Sequence, residues 1–376
     1  MLSTALLETL ALWPESRIRE TLDAATPDAV VGALSRERRD VRDLIALLSP
    51  AAVPLLEEMA REAQRLTRRQ FGRTISLYAP LYLSNVCAAD CIYCGFSAQA
   101  EPRHARVTLT TGEIERECAA LSAMGYKSVL LLTGDAPAVA TPRYIADACA
   151  IARRWFPSVA VEIYAMDQDE YALLCTYGLD SVTLYMETYE RELYARMHRH
   201  GRKRDYAYRL AAVERAAAAG VRRVSIGALL GLHDWRVEGV WLGLHGRHLE
   251  RYCWRTALSL SFPRLRHTPP GFQIPKPVSD AELVQMMLAM RLFLPEAGFN
   301  LSTREPAVLR DRLIHLGVTA ISAGSSTRPG GYGAPECNQL AQFEIEDRRS
   351  PAEVVAMISK AGYDPVWKDF DAAFLG

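Results

Sequence analysis

The sequence predicts an α/β protein: a TIM-type (β/α)8 barrel with an N-terminal helical extension and a C-terminal helical tail. Eight short apolar runs are typical of buried strands, and segments with helical periodicity separate each run from the next. Repeated strand–helix units require parallel pairing with right-handed crossovers, and eight such units favour closure into a barrel. A doubly wound sheet of six strands with additional elements is the alternative.

The chain is predicted to divide into three parts. Residues 1–73 form a helical extension packed on the barrel, residues 74–324 form the barrel itself, and residues 325–376 close on it. In the extension, apolar residues recur at helical spacing with a break at Ser49 and Pro50. The tail is expected to be irregular at first and then helical.

The barrel elements follow in order from a first strand expected at residues 77–83. Capping boxes, Thr110 with Glu113 and Ser279 with Glu282, predict the starts of two helices. Further helices are expected around residues 142–155, 168–176, 206–219 and 238–253. The strands are expected to end in the segments APLYLSNVC, LLTGD, VEIYA, LYMET, IGALLG, SFPR, LSTRE and SAGSS. Barrel enzymes carry their chemistry at the C-terminal ends of the strands, so functional residues are expected in these segments.

Composition excludes several classes of protein. The 376 residues include 44 Lys and Arg and 44 Asp and Glu, and this zero net charge argues against a nucleic-acid or membrane partner. The N-terminal apolar run is short, contains Glu8 and lacks a basic lead, so it is a poor signal peptide. No stretch reaches the length of a membrane span, so we expect a cytoplasmic protein.

Three cysteines lie close together directly after the first predicted strand, namely Cys87, Cys91 and Cys94. Structural zinc sites and ordinary [4Fe–4S] sites both use four ligands, and no second C-x-x-C occurs in the chain. Three thiolates would leave one iron of a cluster open to a substrate or cosubstrate. A zinc site completed by a distant His, or three unrelated cysteines, are the alternatives.

The C-x3-C-x2-C spacing, with the aromatic Tyr93 before the last cysteine, resembles the signature of radical S-adenosylmethionine enzymes. The resemblance implies a [4Fe–4S] cluster held by Cys87, Cys91 and Cys94, with S-adenosylmethionine bound to the open iron. The reduced cluster of such enzymes splits S-adenosylmethionine into methionine and a 5′-deoxyadenosyl radical. An enclosed barrel suits this chemistry because a radical must be shielded from water.

The resemblance also implies binding residues for S-adenosylmethionine at the second strand end. Thr133, Gly134 and Asp135 occupy the place of the motif that binds the amino group of the cosubstrate. Asp135 is a departure, since related sequences carry the longer Glu there. A simple strand-to-loop turn is the alternative, because Gly-Asp is common in turns.

Three residues on other strands are further candidates for contact with S-adenosylmethionine. Glu187 is a polar group at the fourth strand end, where it is suited to the ribose or the methionine moiety. Glu162 faces inward if the third strand alternates regularly, and is a weaker candidate for the ribose. Gly227 begins a segment that resembles the glycine-containing motif beside the adenine, although such glycines often serve packing alone.

From about residue 40 onward, the chain resembles one family of these enzymes, the tyrosine lyase of thiamine-thiazole biosynthesis, or 2-iminoacetate synthase. The segments that carry the resemblance are LLSPAA, YLSNVCAADCIYCGFS, LLLTGD, METYERELYARMH, IGALLGLHDWRV, SFPRLR, LSTRE, RPGGY and PVWKDFD. A related tyrosine lyase builds the diiron ligands of hydrogenase with a second, C-terminal cluster. That alternative is disfavoured, since Cys337 is the only cysteine after Cys253.

The resemblance implies a reaction in which the adenosyl radical takes a hydrogen atom from L-tyrosine and the Cα–Cβ bond breaks. The products are 2-iminoacetate (dehydroglycine) and 4-cresol, with 5′-deoxyadenosine and methionine. Thiazole synthase is expected to receive the imine, and a reduced flavodoxin or ferredoxin to supply electrons. Another aromatic substrate, an iron–sulfur electron carrier and a zinc-stabilised binding module are the competing hypotheses.

A bound amino acid needs a partner for its carboxylate, and the planar fork of arginine matches that group. Arg304 at the seventh strand end is the candidate, with Ser302 beside it. Ser302 and Glu305 also match a capping box, so they are alternatively expected to start the next helix. Of Arg264 and Arg266 at the sixth strand end, one is expected to orient a carboxylate.

The basic run at residues 196–209 is most simply a solvated loop. His198 and Lys203 within it are candidates to line the site or to meet a partner.

Overall fold

The computed structural model describes residues 2–99, 105–266, 268–333 and 339–368. Its eight barrel strands are β1 Thr74–Ser84, β2 Ser128–Thr133, β3 Ser158–Glu162, β4 Ser181–Thr183, β5 Arg223–Gly227, β6 Ala257–Ser261, β7 Gly298–Leu301 and β8 Ala320–Ser322. Each strand pairs in parallel with the next, and β1 pairs with both β8 and β2, which closes the barrel. The predicted barrel is thereby confirmed, and the doubly wound alternative is wrong.

Helices connect the strands on the outside of the barrel. They are α6 Thr111–Ala123, α7 Pro142–Arg153, α8 Gln168–Thr176, α9 Arg191–Met197, α10 Tyr206–Leu210, α11 Ala212–Ala218, α12 Trp235–Tyr252, α13 Asp280–Phe293 and α14 Ala307–Leu313. The helix predicted around residues 206–219 is divided into α10 and α11 at Ala211.

Two predicted helix starts have the expected local chemistry. At α6, the backbone N–H of Thr110 donates to Glu113 at 2.8 Å, and Glu113 N–H donates back to the Thr110 hydroxyl. At α13, Ser279 and Glu282 exchange the same two bonds. These boxes satisfy backbone N–H groups that a helix start leaves without intrahelical partners, so the sequence pattern fixes both starts locally.

The chain before the barrel is helical, as predicted. It contains α1 Leu2–Ala11, α2 Glu15–Asp23, α3 Pro27–Ser35, α4 Val41–Leu48 and α5 Leu56–Phe71, with a 3₁₀ helix at Pro50–Leu55. The predicted break follows α4, where the side chain of Gln285 on α13 donates to the carbonyls of Leu47 and Ser49 at 3.1 and 2.8 Å. Helix α4 packs on α12 and α13, so this layer covers one side of the barrel.

After the barrel, the chain returns over both of its ends. Helix α15 Pro351–Lys360 leads to β9 Asp364–Val366, which adds to β1 as an additional strand beyond the predicted helix. At the opposite end, the hydroxyl of Tyr82 donates to Gln342 at 2.6 Å. Cys337 lies outside the described residues. We propose that residues 1–73, 74–324 and 325–376 are the extension, the barrel and the closing segment.

No helix in the described part of the chain combines the length and apolar character needed to cross a membrane.

Candidate active site

The cysteine loop begins where β1 ends in an irregular pairing with β2 between Tyr82 and Ser84. The backbone N–H of Cys94 donates to the Cys91 carbonyl at 3.0 Å, and Phe96 N–H donates to the Cys94 sulfur at 3.4 Å. The Cys87, Cys91 and Cys94 thiols are free of disulfides. These turns place the three predicted ligands on one short loop at the C-terminal mouth of the barrel.

The three thiols are electrostatically close. Burial, together with the charge of Cys94, raises the pKa of Cys87 to about 11 and that of Cys91 to about 12. Among the described residues, no three His, Cys, Asp or Glu side chains converge tightly enough to hold a single metal ion. A set of three soft thiols, each free to bind a different iron, fits an iron–sulfur cluster better than a zinc ion.

A second loop, after α9, packs along the cysteine loop. Cys91 and His198 form an antiparallel β-bridge, and the backbone N–H of Arg199 donates to the backbone carbonyl of Asp90 at 3.1 Å. The Tyr93 hydroxyl lies 2.8 Å from Nε2 of His198, whose Nδ1 lies 2.8 Å from the Tyr194 carbonyl. Because burial lowers the pKa of His198, the ring is neutral, donates from Nδ1 and accepts from Tyr93. The predicted residues Tyr93 and His198 are therefore neighbours.

Glu187 is held in an unusual backbone conformation at the mouth of the barrel. Its φ of 67° is the only positive value among the described non-glycine residues. Nζ of Lys203 lies 2.7 Å from its carboxylate, and the Arg209 guanidinium lies 3.6 Å away. Burial lowers the pKa of Lys203, but the charges of Glu187, Cys91 and Tyr194 together exceed this effect, so the pKa of the ammonium is raised. Backbone strain of this kind persists only where the surroundings enforce it.

Glu238 is one of the groups that enforce this turn, and sequence reasoning missed it. From α12, its carboxylate accepts hydrogen bonds from the Thr188 hydroxyl and from the Tyr189 N–H, the latter at 2.9 Å. Burial raises the pKa of Glu238 to about 8 despite these bonds. The sequence signal that could have identified Glu238 is its position on an apolar face of α12, because a buried carboxylate needs hydrogen-bond partners.

The segment at the end of β2 packs closely against the cysteine loop. A Cβ on Gly134 would lie 2.2 Å from the Val86 carbonyl oxygen, so only glycine permits this approach. The backbone N–H of Ala88 donates to the Asp135 carbonyl at 2.8 Å. Burial raises the pKa of Asp135, and its Oδ1 has no partner among the described residues. The Thr133 hydroxyl donates to the carbonyl of Gly134 at 2.9 Å. Contact of these residues with S-adenosylmethionine stays a prediction.

A cavity of about 380 Å³ opens beside the cysteine loop. Its lining includes Tyr93, Cys94, Glu162, Glu187, Lys203 and Arg304. A smaller inner cavity of about 80 Å³ shares Glu162, Tyr185, Pro263, Arg304 and Phe343 with it and adds Ser302. The size and the few convergent polar groups are those of a small-molecule site.

Arg304 enters this site without a carboxylate partner among the residues that the structure describes. Its guanidinium carbon lies 3.7 Å from the centre of the Phe343 ring, and its buried Nε has no hydrogen-bond partner among the described residues. Burial lowers the pKa of Arg304, while Glu162 and Glu187 oppose that effect through their charges. The Ser302 hydroxyl accepts a hydrogen bond from the Arg304 backbone N–H at 3.4 Å. Arg304, the residue predicted to bind a substrate carboxylate, therefore faces the cavity with no anion paired to its guanidinium among the described residues.

The predicted capping box at Ser302 and Glu305 is wrong. Helix α14 begins at Ala307 and has no side-chain cap. Glu305 is buried and accepts a bidentate pair from Arg264, with Nε at 2.8 Å, and a further contact from Arg266 at 3.3 Å. The long-range ion pair prevails because two arginines satisfy a buried carboxylate better than one backbone N–H. Of Arg264 and Arg266, one was predicted to orient a carboxylate; in the structure both contact the carboxylate of Glu305.

Glu162 and Gly227 complete the predicted set. Burial, with help from the charge of Glu187, raises the pKa of Glu162 to about 7, and Arg304 opposes this increase. A Cβ on Gly227 would lie 2.6 Å from the Ser261 carbonyl and 2.9 Å from the Tyr185 ring. Glu162 thus faces the cavity as predicted, whereas Gly227 serves close packing between strands and its place beside adenine stays a prediction.

Comparison with known proteins identifies relatives over nearly the whole chain. Residues 81–239 match the Radical SAM superfamily model, and residues 261–364 match the Biotin and Thiamin Synthesis associated domain. The 2-iminoacetate synthase of Salmonella typhimurium is 41% identical over 96% of this chain and 94% of its own length. The 2-iminoacetate synthase of Escherichia coli is 42% identical over 97% and 95%, respectively.

Solved structures show the same fold. HydG, a maturase of the [FeFe]-hydrogenase, matches with a TM-score of 0.88 at 32% identity, over 94% of this chain and 80% of that one. HydG from Carboxydothermus hydrogenoformans matches with a TM-score of 0.84 at 29% identity, over 97% and 84%.

Proposed function

The chain belongs to the 2-iminoacetate synthase family of radical S-adenosylmethionine enzymes, and we propose that the mouth of its barrel performs that family's reaction. It is a carbon–carbon lyase that cleaves the Cα–Cβ bond of L-tyrosine to 2-iminoacetate and 4-cresol, a step of thiamine-thiazole biosynthesis. S-adenosylmethionine is reductively cleaved to 5′-deoxyadenosine and methionine. The observation that carries the proposal is that the cysteine loop and the unpaired Arg304 line one cavity.

Cys87, Cys91 and Cys94 hold the [4Fe–4S] cluster in this proposal. Three thiolates leave one of four irons without a protein ligand, which is the position that S-adenosylmethionine requires. When bound, these cofactors would supply an adenosyl radical able to take a hydrogen atom from L-tyrosine. The hydrogen bonds within the cysteine loop and to the neighbouring loop keep the thiols in place.

Contacts with S-adenosylmethionine divide into two groups. Tyr93, Glu162 and Glu187 line the cavity and are proposed to contact S-adenosylmethionine directly. Asp135 has an unpartnered buried oxygen beside the cysteine loop, which supports a contact with an amino group. Thr133, Gly134 and Gly227 are proposed to contribute through their backbones.

Arg304 is proposed to bind the carboxylate of L-tyrosine, with Ser302 beside it. A guanidinium fork and a carboxylate form two parallel hydrogen bonds that fix both position and orientation. Phe343 below the guanidinium leaves its edge free for this contact. The Cα–Cβ bond is thereby held at a defined place relative to the cysteine loop.

We further propose that thiazole synthase takes up the imine, and that reduced flavodoxin or ferredoxin supplies electrons in the cytoplasm. A reactive imine would hydrolyse in free solution, which favours direct transfer to a partner. A low-potential cluster requires a reducing compartment, and the free thiols agree with one.

The decisive experiment is an anaerobic assay of the reconstituted protein with dithionite, S-adenosylmethionine and L-tyrosine. We expect 4-cresol and 5′-deoxyadenosine by chromatography, and neither product from Cys94→Ala. Deoxyadenosine without cresol would show that tyrosine is the wrong substrate, and a panel of aromatic amino acids would then identify the right one. The cluster's electron paramagnetic resonance signal should shift on adding S-adenosylmethionine, and an unchanged signal would indicate a closed electron-carrier site.

A further inference from the structure

The loop that packs along the cysteine loop has a strongly basic outer surface. We call residues 196–205 the basic loop. Its exposed positive side chains are Arg196, Arg199, Arg202 and Arg204, and exposed His200 lies among them. Because the whole chain has zero net charge, this concentration is a local feature rather than a reflection of composition.

The basic loop is attached directly to the cluster-binding segment. The backbone N–H of Ile92 donates to Met197 at 3.3 Å, one residue from the bridge that joins Cys91 to His198. Gly201, with φ of 80°, comes so close that an added Cβ would lie 3.0 Å from Cα of Ala89. The exposed arginines are therefore anchored within a few residues of a proposed cluster ligand.

The positive side chains on the inner and outer sides of the basic loop differ in how closely acidic groups pair with them. On the inner side, Lys203 is neutralised by Glu187 at 2.7 Å. On the outer side, Arg202 lies over the Tyr208 ring, and its ion pairs with Asp167 and Glu170 are long, at 3.6 and 3.9 Å.

The other outer arginines are at least as free. Arg196 lies 3.9 Å from Glu192, whose side chain is 88% exposed. Exposed Arg199 and Arg204 have no ion-pair partner within the described chain. The outward face of the loop therefore keeps most of its positive charge.

Parts of the cysteine loop are exposed next to this surface. Ala88, Ala98 and Gln99 are accessible, while Cys91 itself is buried. A protein seated here would approach the proposed cluster from outside the barrel and leave the substrate cavity unobstructed. That is the geometry needed to transfer an electron to the cluster without displacing substrate.

We propose that the basic loop is the docking surface for a one-electron carrier protein with an acidic face. The inference rests on the proposed function, because a radical S-adenosylmethionine reaction requires an external electron. In the transfer, the carrier is oxidised by one electron, the cluster is reduced by one, and no proton is required. Charge complementarity accelerates such encounters and makes them sensitive to ionic strength.

The test uses the full-length holoenzyme and an acidic flavodoxin as the probe. The double variant Arg199→Glu with Arg204→Glu should bind flavodoxin about tenfold or more weakly at low ionic strength. Its cluster should also be reduced correspondingly more slowly by reduced flavodoxin, as followed by absorbance. With dithionite as reductant, its cluster reduction and cresol formation should equal those of the unaltered protein.

The matched control is Arg251→Glu with Arg255→Glu, which makes the same charge change at the other end of the barrel. These exposed arginines flank the connection from α12 to β6 and contact Tyr252 and Trp254. The control should retain flavodoxin binding.

Equal flavodoxin binding by the two double variants would overturn the proposal. The proposal would also be overturned if the variant of the basic loop bound thiazole synthase more weakly but bound flavodoxin normally. Flavodoxin binding is measured without turnover, so failure of the lyase assay with dithionite would refute the proposed function separately.

Discussion

Two arginines occupy matching places on neighbouring strands of the barrel but have opposite surroundings. Arg264 lies three residues after β6, and Arg304 lies three residues after β7. Arg264 donates two hydrogen bonds to buried Glu305 and one to the Val278 carbonyl. Arg304 has only the Phe343 ring against its face, and its Nε has no partner among the described residues.

The difference separates a structural arginine from one that awaits a ligand. A buried charge is destabilising unless it is paired, so an unpaired guanidinium is retained only where something else supplies the anion. Glu305 directly follows Arg304 in the chain, yet its carboxylate pairs with Arg264. The fold thus withholds the nearest acid from Arg304 and leaves it available to a carboxylate in the cavity.

Arg304→Gln should produce the largest effect on activity. The variant loses the charge and the fork, so kcat/KM for L-tyrosine should fall about a thousandfold, equivalent to about 4 kcal/mol. The free energy of unfolding should not decrease, because an unpaired buried charge is removed. Steady-state cresol formation and urea unfolding provide the two measurements.

Arg304→Lys serves as the control for charge alone. It should recover part of the activity, since lysine keeps the charge but not the planar geometry. Full activity in Arg304→Gln would mean that another group binds the substrate carboxylate.

Arg264→Gln should show the reverse pattern. It leaves Glu305 with only the partly exposed Arg266 at 3.3 Å, and should reduce the free energy of unfolding by about 3 kcal/mol. Urea unfolding measures this loss. In Arg264→Gln combined with Glu305→Gln, the loss should be less than the sum of the two single changes. Strict additivity would mean that the pair is not coupled.

Sequence reasoning succeeded where the determinants are local. Thr110 and Glu113 are three residues apart, so their capping box depends on little else. Likewise, the spacing of Cys87, Cys91 and Cys94 places three thiols on one loop in any fold that exposes it. The eight strand–helix units then imposed the parallel barrel, because few topologies accommodate them.

Sequence reasoning failed where the partner is distant in the chain. Glu305 matched a local capping box, but its ion pair with Arg264 spans 41 positions. Glu238 reaches Thr188 across 50 positions. No spacing rule connects such residues, since their proximity depends on how the strands and helices pack.

The pH dependence of stability tests the link between Arg304 and Glu162. The pKa of Glu162 is raised from an ordinary value near 4.5 to about 7, so ionisation opposes folding. Its contribution to stability is greatest below pH 4.5 and declines as the pH rises to about 7. Glu162→Gln should remove this decline, about 2 kcal/mol after allowing for contact with cavity water.

Arg304→Gln should extend the upper limit of this window to higher pH, because the cation opposes the raised pKa of Glu162 in the folded state. Urea unfolding between pH 4.5 and 8 measures both effects. An unchanged window in Arg304→Gln would show that the two groups do not interact.

Phe343→Leu should have the smallest effect, and it examines the ring contact of the Arg304 guanidinium. A ring beneath a guanidinium contributes about 1 kcal/mol in a partly desolvated site, so KM for L-tyrosine should rise about fivefold with little change in kcat. Arg291 offers a matched control, since it lies 3.9 Å from the Phe299 ring while donating to the Ala297 and Gly317 carbonyls. Phe299→Leu should therefore lower stability and leave KM unchanged, because both terminal nitrogens of Arg291 already donate to backbone carbonyls. Equal changes in KM for both variants would mean that the ring under Arg304 supports the barrel and not the ligand.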